Sequence, residues 1–298
     1  MIRYIVFQKV MELGGFTKAA DVMGYSQSSV SQMIASLEKE LGIQLLSRSH
    51  HEISLTPEGE ALYPYIEKAI YQYRAIKEKV EEIKGLDTGI IRIGTISSVS
   101  YQWLPDLVKG FQKMYPNVEF VFYQGDYSSI GNWIQTGTVD FGFITPPAVT
   151  GLQTQIIAEG EMQVILPENH RLGEKKHIEL KDLCQEPFIL LEEGNYNEAM
   201  LAFEKEHLEP DIKFAVHDDF TIMKMVEKEM GVSILSELMV REAPYRIKVR
   251  SLTPPLYRSL AIGYRNKAML PIAARRFIEY MNDTLEINGE KSEKVRKQ

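Results

Sequence analysis

The chain has 298 residues, 44% hydrophobic and 25% charged, with a net charge of −7, a composition suited to a soluble protein of two or more domains. No run of about twenty apolar residues occurs, and Met1-Ile2-Arg3 leads straight into a helical pattern, so no membrane span or secretory signal is expected and the expected compartment is the cytoplasm. The single cysteine, Cys184, excludes an internal disulfide and a thiol-rich metal site, and beside Leu180 and Leu183 it reads as a small buried hydrophobe.

Residues 3–13 place Tyr4, Phe7, Val10 and Met11 on one face of a first helix. From Phe16 to Gly42 the pattern is two short helices joined by a tight turn. Thr17 reads as a hydroxyl N-cap before Lys18-Ala19-Ala20, with Val22 and Met23 on the apolar side. Gly24 ends that helix, because glycine tolerates the left-handed conformation of a C-terminal cap. Ser26 caps the next helix, in which Val30, Ile34, Leu37 and Leu41 form a one-sided stripe.

The opposite face of that second helix carries Gln27, Ser28, Ser29, Ser31 and Gln32, short or amide side chains without charge. Amides can pair bidentately with adenine and hydroxyls can donate or accept in a major groove, where the N-terminal end of a helix-turn-helix recognition helix meets the bases. The same face also suits a merely solvated helix over a small core. Charge does not decide between them. Arg3, Lys9, Lys18, Lys39 and Arg48 stand against Glu12, Asp21, Glu38, Glu40, Glu52, Glu58 and Glu60 in the first sixty residues, so few phosphate ion pairs are expected.

Here the residues resemble the LysR-type transcriptional regulators. Ala19-Ala20, Ser26-Gln27, Val30-Ser31, Ile34, Leu37-Glu38 and Leu41-Gly42 stand in that family's order and spacing, and Arg48 and Leu55-Thr56-Pro57-Glu58-Gly59 continue the match. Leu46 stands where the family usually has Phe, and Ser28 where Pro is frequent. The resemblance implies an all-α winged helix-turn-helix that binds double-stranded DNA, with Thr17, Ser26, Gln27, Ser28, Ser29, Ser31, Gln32 and Arg48 as its contact residues.

After Gly42, residues 44–48 and 52–55 read as two short strands around Ser49-His50-His51, a wing able to lie along the sugar-phosphate backbone, with Arg48 the candidate phosphate contact. His50 and His51 read as exposed turn residues, since no third ligand recommends a metal. Pro57, behind the N-cap Thr56, opens a long helix to about Lys84. Leu62, Ile66, Ala69, Tyr73, Ile76, Val80 and Ile83 alternate spacings of four and three, the seam of a two-helix pairing over about 40 Å. The alternative is a helix packed on its own domain. In LysR-type regulators this linker helix pairs two subunits, which implies a homodimer or homotetramer.

Residues 85–89 read as a hinge. Beyond it, apolar runs at 90–93, 118–123, 140–144, 163–166, 188–191, 212–216, 232–235, 247–250 and 260–264 alternate with helical stretches such as 103–114 and 130–135. That alternation predicts an α/β region with largely parallel sheets, large enough for two lobes. The looser matches Arg92-Ile93-Gly94, Leu104-Pro105, Phe111, Tyr115-Pro116-Asn117-Val118, Gly137, Asp140, Leu166-Pro167, His170 and Gly231-Val232 follow the family's effector domain, which is similar to periplasmic binding proteins. The implied organisation is a DNA-binding domain at 1–58, a linker helix and hinge at 59–88, and an effector-binding domain at 89–298. Its lobe one would span 90–161 and 266–283, and lobe two 162–265. The polar end, Thr284 to Gln298, is expected to fray.

A ligand of an open α/β sheet binds outside the carboxyl ends of the strands. Thr95, Ser97 and Ser98 there precede a helix, and hydroxyls with free amides suit an anion, although such clusters are also ordinary caps. With the resemblance added, a small-molecule effector, expected to be anionic, is placed among Thr95, Ser97, Ser98, Phe143, Thr145, Phe220 and Thr221. Tyr101 and Trp103 are candidates for the pocket wall or for the core. An α/β enzyme, or a solute-binding protein with a dimerising appendage, is the competing expectation. Phosphate-binding loops, nucleophile elbows, dinucleotide fingerprints and metalloprotease helices are all missing from the sequence, so no catalytic residue, metal or cofactor is expected.

Overall fold

The computed structural model describes residues 1–48, 53–83 and 88–287. Two compact units divide the chain, one carrying the N-terminal 84 residues and one carrying nearly all of the rest.

The first unit holds α1 (Ile2–Leu13), α2 (Phe16–Met23), α3 (Gln27–Leu41), β1 (Leu46–Arg48), β2 (Ile53–Leu55) and α4 (Pro57–Ile83). Gly24 sits at φ 71°, and the Ser26 side chain accepts the Ser29 amide at 3.1 Å, so the turn between α2 and α3 is closed at both ends. Thr17 is not a cap: α2 begins at Phe16 behind Gly15, which leaves Thr17 inside the first turn. Val6, Phe7, Val10, Ala19, Ala20, Val30, Ile34 and Leu37 bury together with Leu45, Leu46, Ile66 and Ile70. Each large aliphatic or Phe so buried contributes about 1.5–3 kcal/mol.

β1 and β2 pair antiparallel, Leu46 against Leu55 and Arg48 against Ile53. Their turn, with His50 and His51, lies outside the described residues, as do residues 85–87 of the expected hinge at 85–89, whose last residue, Gly89, already belongs to a strand. The Thr56 hydroxyl accepts the Gly59 amide at 2.9 Å and starts α4. A Cβ on Gly59 would lie 2.2 Å from the Leu45 carbonyl oxygen, so only glycine lets the helix pass the strand this closely.

The second unit runs β3 (Gly89–Thr95), α5 (Ser97–Gln102), α6 (Leu104–Met114), β4 (Val118–Gln124), α7 (Tyr127–Thr136), β5 (Phe141–Ile144) and β6 (Gln153–Pro167). There follow β7 (His177–Ile178), α8 (Leu180–Leu183), β8 (Pro187–Leu191), α9 (Glu198–Lys205), β9 (Asp211–Val216) and α10 (Asp219–Glu227). The unit ends with β10 (Ser233–Ser236), α11 (Glu237–Val240), β11 (Ile247–Tyr264) and α12 (Ile272–Ile287).

The main sheet has the order β10-β6-β11-β5-β3-β4, with β7 paired to β11, and β8-β9 form a separate pair. The expectation of largely parallel sheets holds only for β3–β4, β3–β5, β8–β9 and β7–β11. β6 leaves lobe one and β11 returns to it, so the two long strands run antiparallel, and β11–β5 and β10–β6 are antiparallel as well. The two apolar runs at 247–250 and 260–264 therefore belong to one 18-residue strand, with a register shift between Ser251 and Leu256.

One apolar core fills lobe one, around Phe111, Phe141, Phe143 and Phe277. Two smaller clusters fill lobe two, one around Phe188 and Phe203 and one around Ile189 and Met223. Cys184 is half-buried at the edge of the Phe188 cluster, less enclosed than expected. The helix predicted over 103–114 is α6, Leu104–Met114, and a separate short helix, α5, precedes it up to Gln102. Thr284–Ile287 do not fray: α12 continues through them because Leu285 is buried in the lobe-one core. Among the described residues, no helix is long and apolar enough to cross a membrane.

Candidate functional site

Two sites stand out, one in each unit. On the first unit, α3 buries Val30, Ile34 and Leu37 and turns its N-terminal edge outward. Ser26, Gln27, Ser28 and Gln32 are exposed, as is Thr17 on α2, while Ser29 and Ser31 are half-buried. The Ser26 hydroxyl also meets Ser28 Oγ at 2.9 Å and Ser29 Oγ at 2.8 Å. These three hydroxyls are thus engaged with one another in the cap, and the Gln27 and Gln32 amides are the groups that reach furthest out. Arg3 is pinned to α3 by Glu40 at 2.6 Å and by Ser36 Oγ at 2.9 Å, and Lys9 pairs with Glu12. Lys18 and Lys39 are exposed, and the side chain of Arg48 lies outside the described residues.

The stripe along α4 divides into two parts. Ile66 is buried in the N-terminal core, with Leu62 packed against it. Ala69 is exposed and Tyr73 half-buried, whereas Ile76 and Val80 are 62% and 43% exposed and Tyr65 is 68% exposed. The Ile83 side chain is outside the described residues. Among the described residues of α4, the large apolar side chains left facing outward are therefore Tyr65, Ile76 and Val80 rather than the whole seam.

In the second unit, the carboxyl ends of β3 and β4 from lobe one and of β8 and β9 from lobe two converge on a cleft of about 330 Å³. Its walls are Ile96, Ser97, Gln124, Gly125, Asp126, Ser129 and Trp133 on one side, and Leu191, Glu192, Glu193, His217 and Asp219 on the other. Gln124 donates to Ser97 Oγ at 3.2 Å, and the Asn195 amide donates across to Ser128 Oγ at 3.3 Å. Arg258, on the crossing strand β11, is buried and donates to Ser98 Oγ at 3.2 Å. Burial works against its charge, but Tyr127, Glu193, Glu198 and Asp219 around it hold its pKa above the ordinary value.

Those neighbours respond in kind. Burial, then the charge of Glu198, pushes the Glu193 carboxyl up to about 8. Burial likewise raises Glu198, with Arg258 opposing it, and raises Asp219, with the Ser97 hydroxyl and Arg258 opposing. Desolvation dominates in all three cases.

Of the residues expected from sequence, Ser97 lines the cleft and Ser98 anchors Arg258. Thr95 is fully buried beneath, where it accepts from Ser100 Oγ at 3.0 Å. Phe143 belongs to the lobe-one core, and Thr145 is buried with its hydroxyl donating to the Ser259 carbonyl at 2.8 Å, so neither reaches the cleft. Thr221 is tied to Asp218 Oδ2 in the cap of α10. Phe220 packs edge-on to Tyr101, ring centres 5.1 Å apart, which joins α10 to α5, and Trp103 is core. The expected anion meets walls that carry Asp126, Glu192, Glu193 and Asp219. One first-turn amide in each of α7 and α10 is already taken, Ser129 N by Asp126 at 2.7 Å and Thr221 N by Asp218 at 2.8 Å.

Gln124-Gly125-Asp126, Glu192-Glu193 and His217-Asp218-Asp219 each follow directly on an apolar run, so the strand-end rule applied to every strand and not only the first would have found them. Arg258 carries no such signal. It sits mid-strand on an element that sequence periodicity split in two.

Residues 3–60 match the family model described as bacterial regulatory helix-turn-helix protein, lysR family, and residues 84–286 match the LysR substrate binding domain. The chain is 29% identical over 277 residues to the HTH-type transcriptional regulator YvbU of Bacillus subtilis (strain 168), covering 92% of this chain and 94% of that one. A full-length OxyR variant from Pseudomonas aeruginosa superposes with a TM-score of 0.71 at 25% identity, over 96% of this chain and 93% of that one. Full-length CbnR complexed with its target DNA gives 0.67 at 20% identity, over 95% and 98% of the two chains. With both family models matched in order along the chain, it belongs to the LysR family of DNA-binding transcriptional regulators, its helix-turn-helix followed by an effector-binding domain.

Proposed function

We propose that the chain binds a specific operator as a dimer or tetramer and that a small molecule in the interlobe cleft tunes that binding, with no catalytic step. The observation that carries this reading is the cleft itself: four strand ends from two lobes converge on one polar-walled space. The uncharged outer edge of α3, led by Gln27 and Gln32, reads base edges, and the wing lies against the backbone. CbnR, which shares the fold, has been captured on its target DNA. Pairing through the outward residues of α4 sets two recognition helices side by side. Half-sites about 34 Å apart, or multiples of that, follow from the groove geometry. Such a protein works beside the chromosome, in the cytoplasm.

A ligand shifts operator binding only as far as it favours one arrangement of the lobes over the other. Footprinting on the DNA upstream of its own gene, with and without fractionated metabolite pools, tests the whole reading. A footprint that appears but never changes with any pool overturns the effector half. No footprint on any such DNA overturns the operator half.

A further inference from the structure

The interlobe cleft is acidic on both walls, and no Lys or Arg is among the described residues that line it. Asp126 faces it from lobe one and Glu192, Glu193 and Asp219 from lobe two. Behind this wall lies Glu198, 4% exposed, whose two carboxylate oxygens have no hydrogen-bond partner among the described residues. Glu198 acts on Glu193 through space, and both lie in the field of Arg258, itself 7% exposed and occupied by Ser98. Three carboxyls, Glu193, Glu198 and Asp219, thus gather round one guanidinium, with Asp126 and Glu192 adding to the charge of the cleft.

Like charges gathered this closely, two of them buried (Glu198 and Asp219) and three half-buried, are unfavourable unless a counter-charge joins them. A proton can supply it, and Glu193, raised to about 8, holds one in that way. An anion meets carboxylates on both walls, Asp126 on one and Glu192, Glu193 and Asp219 on the other, and the Ser129 and Thr221 amides in the first turns of α7 and α10 are already bonded to Asp126 and Asp218. A metal ion lacks a cage: no group of three or more His, Cys, Asp or Glu among the described residues is placed to hold one. An ammonium group brings both the missing charge and three N–H donors to carboxylate oxygens.

We propose that the effector is a small organic cation bearing a protonated amine, bound as ammonium by Glu193 and Asp219 and sized to a cleft of about 330 Å³. This rests on the reading of the cleft as the effector site. Arrival of the ammonium favours the ionised form of Glu193, so binding releases a proton and tightens as pH rises toward 8. Glu198, Asp219, Asp126 and Arg258 act on Glu193 from the surrounding elements, and Glu192 and His217 share its wall.

The test is calorimetric titration of the full-length protein with two skeleton-matched pairs: 1,4-diaminobutane against succinate, and benzylamine against benzoate, each at millimolar concentration. The expected result is saturable binding of at least one amine and of neither carboxylate, with Glu193→Gln weakening the amine by about tenfold or more. Gln mimics the protonated carboxyl and keeps the fold. Two plugging variants, Ser129→Trp and Gln124→Trp, place an indole in the cleft and should abolish amine binding. Carboxylates that bind in the wild type and are lost on plugging, with amines silent, overturn the charge class and leave the cleft as the effector site. Amines that bind the plugged proteins equally well overturn the cleft reading itself. No saturable binding by either amine overturns the proposal.

Discussion

The Glu38 carboxylate, on the last turn of α3, accepts the backbone amides of Leu45 at 2.8 Å and Leu46 at 3.1 Å. One side chain thus fixes where the wing leaves the recognition helix. Leu45 and Leu46 are both buried, so without that acceptor two amides lose their partner in a poorly hydrated place. Glu38→Ala should cost the first unit about 1–3 kcal/mol, while Glu38→Gln, which keeps an acceptor oxygen, should recover most of it. Amide exchange at Leu45 and Leu46 reads this locally. Unchanged protection in the alanine variant would show that the wing is held by something else.

Base reading by α3 makes a separable prediction. Gln27→Ala and Gln32→Ala each remove an exposed amide and leave the buried face of the helix untouched. Each should cost about 1–3 kcal/mol on operator DNA and little on random duplex. Equal losses on both DNAs, measured by anisotropy at fixed salt, would refute base readout. Because Arg3 and Lys9 are already paired to Glu40 and Glu12, the salt dependence of binding should be shallow for a DNA reader.

The N-terminal unit was legible because its rules are local: a cap at Ser26, a left-handed glycine at 24, and a stripe at Val30, Ile34 and Leu37 lie within a few residues of what they determine. The cleft was legible only at Ser97 and Ser98. Its acidic wall is assembled from strand ends far apart in the chain, and the buried charge of Arg258 has meaning only once β11 crosses behind them. Hydroxyls at 95 and 145 looked equivalent to Ser97 in sequence, yet both point into the body of the lobe, where their bonds to Ser100 and Ser259 are structural. The split stripe of α4 failed for the same reason, since a heptad pattern does not say which turn faces its own domain.

That split can be tested by contrast. Ile76→Asp and Val80→Asp place charge on an outward face and should shift sedimentation toward the monomer with little loss of N-terminal stability. Ile66→Ala removes a buried contact and should cost about 2–5 kcal/mol of stability. A dimer that survives both aspartates would place the pairing surface elsewhere on the chain.

The raised carboxyl of Glu193 gives the effector-binding unit a pH signature with a definite sign. Its pKa rises from an ordinary 4.5 to about 8 in the folded state, chiefly by burial, so the folded protein binds more protons than the unfolded one between those values. Stability from this group is present in full below the unfolded pKa and falls as pH rises through the folded one. Thermal or urea unfolding of this unit should therefore weaken from about pH 5 to about pH 8 and level off above, and Glu193→Gln, which cannot ionise, should flatten the slope. Glu67 on α4 is raised to about 7 by burial and by Glu12, against the pull of Gln8 and Arg74, so the N-terminal unit should show the same sign over a narrower range. Glu67→Gln should flatten only that transition. A stability that rises with pH in the wild type, or a slope that survives both substitutions, would mean that these carboxyls are not the groups that titrate.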